Sequence, residues 1–388
     1  MSDADVKGRN VVLAGVSRHP VCGVRDHTYA LAEGFSALGE SCDIVWEHVP
    51  TSLSPLATAQ ALRSWARAVS DRSRAASALI VQYSAFSYSY RGVSVGFLGW
   101  TSTLRQVPCP KLAYLHEPAH AWTANGARGW VWALSQRAAL RSLVGAVDAV
   151  ALTTEPRLQW QRSRRWLPPR PSAFAPVSST LPSLPAGVEE PAASPNASAE
   201  PRIGVLGYGP TTRPAPVLSA LRRLRAEGLD ANLVLLGGPG PSSVGADRWR
   251  VASEETGVSS AVSWTGVLPA AELASAMAGC HALVFSDASG ASGRRTSVAA
   301  PLALGVPVVA LDGPETWPLL ADRGAAVIVP PEPDAIANAL RPHIADPQHR
   351  RAQADRGRAF YASELGAEVV AARLLRTIAA VRSEAVRS

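Results

Sequence analysis

Short apolar runs alternate with longer amphipathic stretches along this chain, and turn residues punctuate each change of pattern. The runs Asn10 to Gly15, Asp43 to Trp46, Ala78 to Tyr83, Lys111 to Leu115 and Val147 to Leu152 carry too little polar alternation for half-exposed strands and predict strands buried on both faces. Between them, Val24 to Leu38, Leu56 to Val69, a stretch from near Val93 and Gly129 to Leu143 have helical spacing. The alternation restarts at residue 202. Strands are expected at Arg202 to Leu206, Asn232 to Leu236, Ala261 to Trp264, Ala282 to Ser286, Pro307 to Leu311 and Ala325 to Val329, with helices between them. Gln348 to Arg387 shows no strand signal. Strand and helix in strict turn predict an α/β protein with mostly parallel sheets.

From Pro168 to Pro201 the composition shifts to Pro, Ser and Ala, which cannot build a core. The expected organisation is an amino-terminal Rossmann-like domain over 1–185, a linker over 186–201, and a second Rossmann-like domain with carboxy-terminal helices over 202–388. At 388 residues, two domains are also the natural prior.

The most informative stretch is Ala282 to Gly313. The turn Ser286 to Gly293 follows a strand and precedes a helix that Ser292 or Gly293 can begin and Gly305 can close. Unpaired amides and the helix dipole favour an anion at such a turn, so Gly290, Ala291, Ser292 and Gly293 are candidate ligand-binding residues. Arg294 and Arg295 add two guanidinium groups whose shape matches phosphate oxygens, and a diphosphate is the expected ligand. The plainer alternative is a surface arginine pair on an ordinary helix. Arg213, in the loop GYGPTTRP, is expected at the mouth of the same crevice.

In the first half, the turn VSRHPVCG leads to Gly23 at a helix start, but no G-x-G-x-x-G fingerprint is present, which counts against a nicotinamide or flavin enzyme. His116 and Glu117 end the strand Lys111 to Leu115, where ligand-touching groups collect in open α/β sheets. The alternative for His116 is a structural histidine bonded to a loop carbonyl.

Hydrophobic residues make up 47% and charged residues 18%, which excludes a disordered chain. The formal charge of +7 suits anionic ligands: nucleotides, phosphorylated lipids, acidic membrane or nucleic acid. Only net charge points to nucleic acid, and no nucleic-acid partner is expected. The four cysteines, Cys22, Cys42, Cys109 and Cys280, have no metal-ligand spacing, and no metal site is expected. A polar start, MSDADVKGRN, and the lack of a long apolar run predict a cytoplasmic protein. Arg157 to Arg170 combines five arginines with Trp160 and Trp166. It reads as a helix with its tryptophans packed inward, the alternative being peripheral contact with an anionic membrane.

Several segments resemble the family-4-like glycosyltransferases of the GT-B fold: CGVRDHTYALAEGFSALGESCDIVW from Cys22, LHE at Leu115 to Glu117, TGVLPAAELASAMAGCHALVFSD from Thr265, and LALGVPVVALDG from Leu302. The likeness extends from about Val11 to Ala380. Those enzymes commonly carry two glutamates eight residues apart around the donor helix. Counting back from Gly305, Ser292 and Ala300 stand at those positions, and GASGRR resembles a subgroup in which a GAS-x-RR element replaces the first glutamate region. The resemblance implies two Rossmann-like domains facing across a cleft. It implies a hexosyltransferase-type enzyme that moves a sugar from a nucleoside-diphosphate sugar to a hydroxyl or amine acceptor, with retention, without metal and without a tightly bound cofactor. His116 would contact the donor sugar, and Gly23 would line the acceptor side. Asp26 and Glu117 are weaker candidates for acceptor contact or proton transfer, a salt-bridge role being equally open. A sugar-nucleotide epimerase and a non-catalytic partner of the same fold are the rivals. The sugar, base, acceptor and oligomeric state are not encoded legibly.

Overall fold

Aliphatic runs become strands here because helices cover both faces of two separate parallel sheets. The computed structural model describes residues 10–122, 124–182, 200–209, 211–238 and 243–387. Residues 186–199 of the expected linker lie outside them. The chain divides into two compact units, 1–178 with 367–388, and 179–366.

In the first unit, strands β1 (Asn10–Ser17), β2 (Ser41–His48), β3 (Ala78–Ser84), β4 (Lys111–Glu117), β5 (Ala149–Leu152) and β6 (Ser172–Phe174) form one sheet in the order β2-β1-β3-β4-β5-β6. Every neighbouring pair is parallel. β6 has no counterpart in the sequence reading: it is a three-residue edge strand beside prolines, paired to β5 from Val150 to Ser172 onward. One face of the sheet packs Val12, Leu79, Val81 and Leu115 on Leu62, Trp65, Trp100 and Leu140. The other packs Val11, Leu13, Ile80 and Tyr114 on Leu31 and Phe35 of the helix Gly23–Ala37 and on Val370, Leu374 and Ile378 of the last helix, Ala367–Arg387. That last helix was expected with the second domain. Its apolar stripe instead completes the second face of the first sheet, because the helix Gly23–Ala37 alone does not cover it. The two helices meet at Gly34, where a Cβ would overlap the Ala367 carbonyl.

In the second unit, β7 (Arg202–Leu206), β8 (Asn232–Leu236), β9 (Val262–Gly266), β10 (Ala282–Phe285), β11 (Val308–Leu311) and β12 (Val327–Val329) run parallel in the order β12-β11-β10-β7-β8-β9. Read from its own first strand, this is the doubly wound dinucleotide-fold order. The order reverses between β7 and β10. In the first unit it reverses between β1 and β3, and ligands of open α/β sheets bind outside the carboxyl ends of strands at such points.

The basic stretch at Arg157 folds as the helix Glu155–Arg162, with Leu158 and Gln161 buried and Trp160 and Trp166 packed against the first core. Its tryptophans therefore point inward. Among the described residues no helix is long and apolar enough to cross a membrane.

Candidate functional site

The loops that leave β7 and β10 in opposite directions are stitched to each other at the reversal. Arg213 N donates to Ser286 O at 2.8 Å and Ala288 N to Thr211 O at 2.9 Å. Asp287 is the hub of this stitch. Its Oδ2 accepts from Thr211 Oγ1 at 2.7 Å and Arg295 Nη2 at 2.9 Å, and its Oδ1 accepts from Ser289 N at 2.8 Å and Ser289 Oγ at 2.7 Å. Burial alone would raise the carboxyl pKa. The hydrogen bonds from Thr211 and Ser289 and the charge of Arg295 outweigh burial and hold it below the ordinary aspartate value.

Behind this stitch lies a cavity of about 470 Å³. Gly207, Gly209, Thr211 and Thr212 line it from the β7 loop, Ser286 and Asp287 from the turn after β10, and Arg295, Thr296, Ser297 and Ala300 from the helix Thr296–Leu304 and its cap. Ser286 Oγ is buried there without a hydrogen-bond partner among the described residues.

The helix starts later than its sequence suggested. Arg295 is its cap, with φ −104° and ψ 107°, and Thr296 its first residue, in place of Ser292 or Gly293. The reason is a competing set of backbone bonds. Glu315 N donates to Ser289 O and Trp317 N to Ala291 O, both at 2.8 Å, while Arg295 N turns back to Ser292 O at 3.1 Å. Gly305 closes the helix in the left-handed conformation, φ 70°.

The predicted donor-site residues therefore separate. Gly290, Ala291, Ser292 and Gly293 are buried and do not line the cavity. Gly290, at φ +86°, is required by packing, since a Cβ there would overlap Thr316 Oγ1 and press on Gly313 N. Arg294 Nε lies 2.8 Å from Glu315 Oε2, off the cavity wall, whereas Arg295 is on it. Arg213 is exposed and enters the stitch only through its backbone. Thr211, Asp287, Ser289 and Glu315 were not singled out from sequence. Asp287 directly follows the apolar run of β10, and that strand-end position was the available signal.

In the first unit, His116 is buried at the end of β4, with Nε2 2.7 Å from Gln82 Oε1. Arg157 donates to the His116 carbonyl. Burial, then His27, then Arg157 push the imidazole pKa well below 6.5, so the ring is neutral, and with the Gln82 amide oxygen accepting, Nε2 carries the proton. His27, on the helix Gly23–Ala37, stands 5.7 Å from His116 and 5.8 Å from Tyr114 between ring centroids, edge-on to both. Its two ring nitrogens have no hydrogen-bond partner among the described residues, and burial lowers its pKa to about 4. Glu117 accepts from Ser84 Oγ at 3.1 Å, and Asp26 lies 3.5 Å from Arg25. Gly23 is exposed at the helix start, and nothing lies within 4 Å of a Cβ built on it.

This unit has its own cavity of about 580 Å³ at the β1/β3 reversal, lined in part by Arg18, Cys22, Phe86, Arg91, Arg128 and Trp132. Gly23, Asp26, His116 and Glu117 do not line it. Arg18 was passed over within the turn VSRHPVCG. Among the described residues no group of three or more His, Cys, Asp or Glu could hold a metal ion.

Residues 201–346 match the family described as Glycosyl transferases group 1. None of the curated proteins matches the chain in sequence. Among solved structures, the chain is similar to sucrose-phosphate synthase from Thermosynechococcus elongatus, at 17% identity over 98% of this chain and 100% of that one, with a TM-score of 0.64. It is similar to Anabaena HepE in complex with UDP and glucose, at 13% identity over 96% and 99%, TM-score 0.65. Trehalose 6-phosphate synthase from Burkholderia multivorans gives 13% identity over 98% of each chain and a TM-score of 0.62. At these identities the likeness is one of fold. A Glycosyl transferases group 1 match over 201–346, in a chain of two parallel-sheet α/β units with the GT-B fold, makes this protein a glycosyltransferase.

Proposed function

We propose that the protein transfers a sugar from a nucleoside-diphosphate sugar, with UDP as the nucleotide, to a hydroxyl or amine acceptor, and that the donor diphosphate binds in the cavity between the β7 and β10 loops. The observation that carries this reading is the convergence of Arg295, Thr296 and Ser297 on one wall of that cavity, at the reversal of a doubly wound sheet. HepE, similar in fold, was solved with UDP and glucose, which supports UDP as the first nucleotide to test.

When the glycosyl group departs, negative charge accumulates on the diphosphate. Groups that meet this charge more strongly in the transition state than in the ground state accelerate the step. Arg295 and the first turn of the helix Thr296–Leu304 supply a fixed positive charge and a positive dipole end. Asp287 offsets part of the guanidinium charge but also fixes its direction through the 2.9 Å contact. Arg294, tied to Glu315, acts in this reading by bracing the turn. The departing charge is met by the protein without a metal, and the sugar is transferred with retention, as the resemblance implies. His116, held neutral, acts as a hydrogen-bonding group rather than as a proton donor.

The test is titration of UDP by calorimetry into the wild-type protein and into Arg295→Gln. A charge-assisted contact of this kind is worth about tenfold or more in affinity. Equal affinity in a folded variant would overturn the assignment.

A further inference from the structure

The cavity of the first unit carries a different chemistry. Arg18 leaves the carboxyl end of β1 and is 8% exposed. Its Nη1 is shielded from solvent and has no hydrogen-bond partner among the described residues. A buried guanidinium ordinarily has a carboxylate beside it, because an unpaired charge in a low-dielectric site is costly. Here burial lowers the Arg18 pKa with no acid opposing it. Arg91 and Arg128 line the same cavity, and neither Asp nor Glu is among its lining residues.

Phe86 and Trp132 add an aromatic surface to a wall that also carries Thr51, Ser87 and Ser89. Trp132 meets Phe86 edge to face at 5.6 Å, and the Arg128 guanidinium lies 4.7 Å from the Trp132 ring centre. Arg91 holds φ +46°, a left-handed backbone that a bulky residue adopts only under constraint from its surroundings. Three permanent positive charges without a carboxylate suit a dianion better than a monoanion. A phosphomonoester, near two negative charges at neutral pH and rich in acceptor oxygens, fits guanidinium forks.

We propose that the acceptor of this transferase is a phosphomonoester, with its phosphate on Arg18, Arg91 and Arg128 and its adjoining ring or chain against Phe86 and Trp132. The proposal rests on the transferase reading above and adds the class of acceptor. The same chemistry is found in a soluble sugar phosphate and in a phosphatidic acid headgroup, and the test separates them.

The full-length protein is titrated by calorimetry with inorganic phosphate, glucose 6-phosphate, glucose and UDP. It is also floated with phosphatidylcholine vesicles with and without phosphatidic acid. A soluble acceptor is expected to give glucose 6-phosphate binding about tenfold or more tighter than glucose; a lipid acceptor gives flotation only with phosphatidic acid. In Arg18→Gln the productive interaction falls by about tenfold or more while UDP affinity is kept, and Tm is unchanged or higher because an unpaired buried charge is removed. Binding of none of the phosphate probes, binding undiminished by Arg18→Gln, or a clear loss of Tm in that variant would each overturn the proposal. Wild-type protein that binds UDP but no phosphate probe defeats this proposal alone. Protein that binds glucose 6-phosphate but not UDP defeats the donor assignment and leaves the phosphate site standing.

Discussion

Arg295 and Asp287, eight residues apart, are joined at 2.9 Å on the wall of the cavity in the second unit, and the same Asp287 oxygen accepts from Thr211 at 2.7 Å, so that one carboxylate ties the loops of two neighbouring strands to the cap of the helix Thr296–Leu304. The guanidinium is thereby aimed before any ligand arrives. Preorganisation of this kind costs stability if the carboxylate is lost, since Arg295 then stands half-buried without its counter-charge.

Acid should loosen this unit through Asp287. Its folded pKa is below the ordinary 3.8, so below that pH the unfolded chain takes up the proton first and binds more protons than the folded one. The stabilisation is therefore complete above 3.8 and is lost as pH falls toward the folded value. Asp287→Asn should be less stable at pH 7 by about 1–3 kcal/mol and should show a flatter acid limb in unfolding experiments. An acid limb that matches wild type would show that Asp287 does not carry it.

The histidine pair of the first unit should act at higher pH. His27 titrates at about 4 and His116 well below 6.5, so both stay neutral in the fold while the unfolded chain protonates them from 6.5 downward. Stability should thus decline as pH falls from 6.5 toward 4, each group contributing up to about 1.4 kcal/mol per pH unit. His27→Leu should keep most of the stability at pH 7, since neither ring nitrogen has a hydrogen-bond partner among the described residues, and should shed part of this slope. Denaturant titrations at pH 7, 6 and 5 measure it.

Docking of the last helix depends on an absent side chain at Gly34 and a present one at Leu374. Gly34→Ala would drive a methyl into the Ala367 carbonyl, forcing the two helices apart. Leu374→Ala would open a void in a fully buried position, at a cost of about 2–5 kcal/mol. Both variants should lower the unfolding midpoint of the first unit and speed proteolysis near residue 366. Wild-type protection in both would contradict the packing described.

Gly290→Ala tests whether the turn beneath Arg295 is held rigid by its neighbours. The residue combines φ +86° with overlap on Thr316, so alanine should cost about 1–3 kcal/mol and weaken UDP binding by displacing the turn. A variant of normal stability and affinity would mean that the 313–317 segment yields easily.

The alternation of apolar runs and amphipathic stretches was enough to locate eleven strands, because each run of β10 or β7 type is bounded by its own turn residues and buried on both sides. β6 escaped, since three residues beside prolines have no pattern of their own and pair only because β5 offers a free edge. The stretch from Ala282 to Gly305 was legible as a strand, a turn and a helix ended by Gly305. Its cap was misplaced by local reasoning. The carbonyls of Ser289 and Ala291 are taken by residues 315 and 317, a competition that no window around the turn contains.

What the amino-acid order settled unaided was the α/β class, the doubling of the pattern and the strand-end position of His116, all products of short-range patterning and turn chemistry. The tertiary structure alone decided which sheet received the final helix and which charges met. Arg294 and Arg295 are neighbours in the chain, yet one is bound to Glu315 and the other faces the cavity beside Asp287. Arg18, unremarkable in its turn, became a buried cation with no acidic partner among the described residues. Such differences arise because the partner of a charge, or its lack, is set by segments distant in sequence that only folding brings to within a few ångströms.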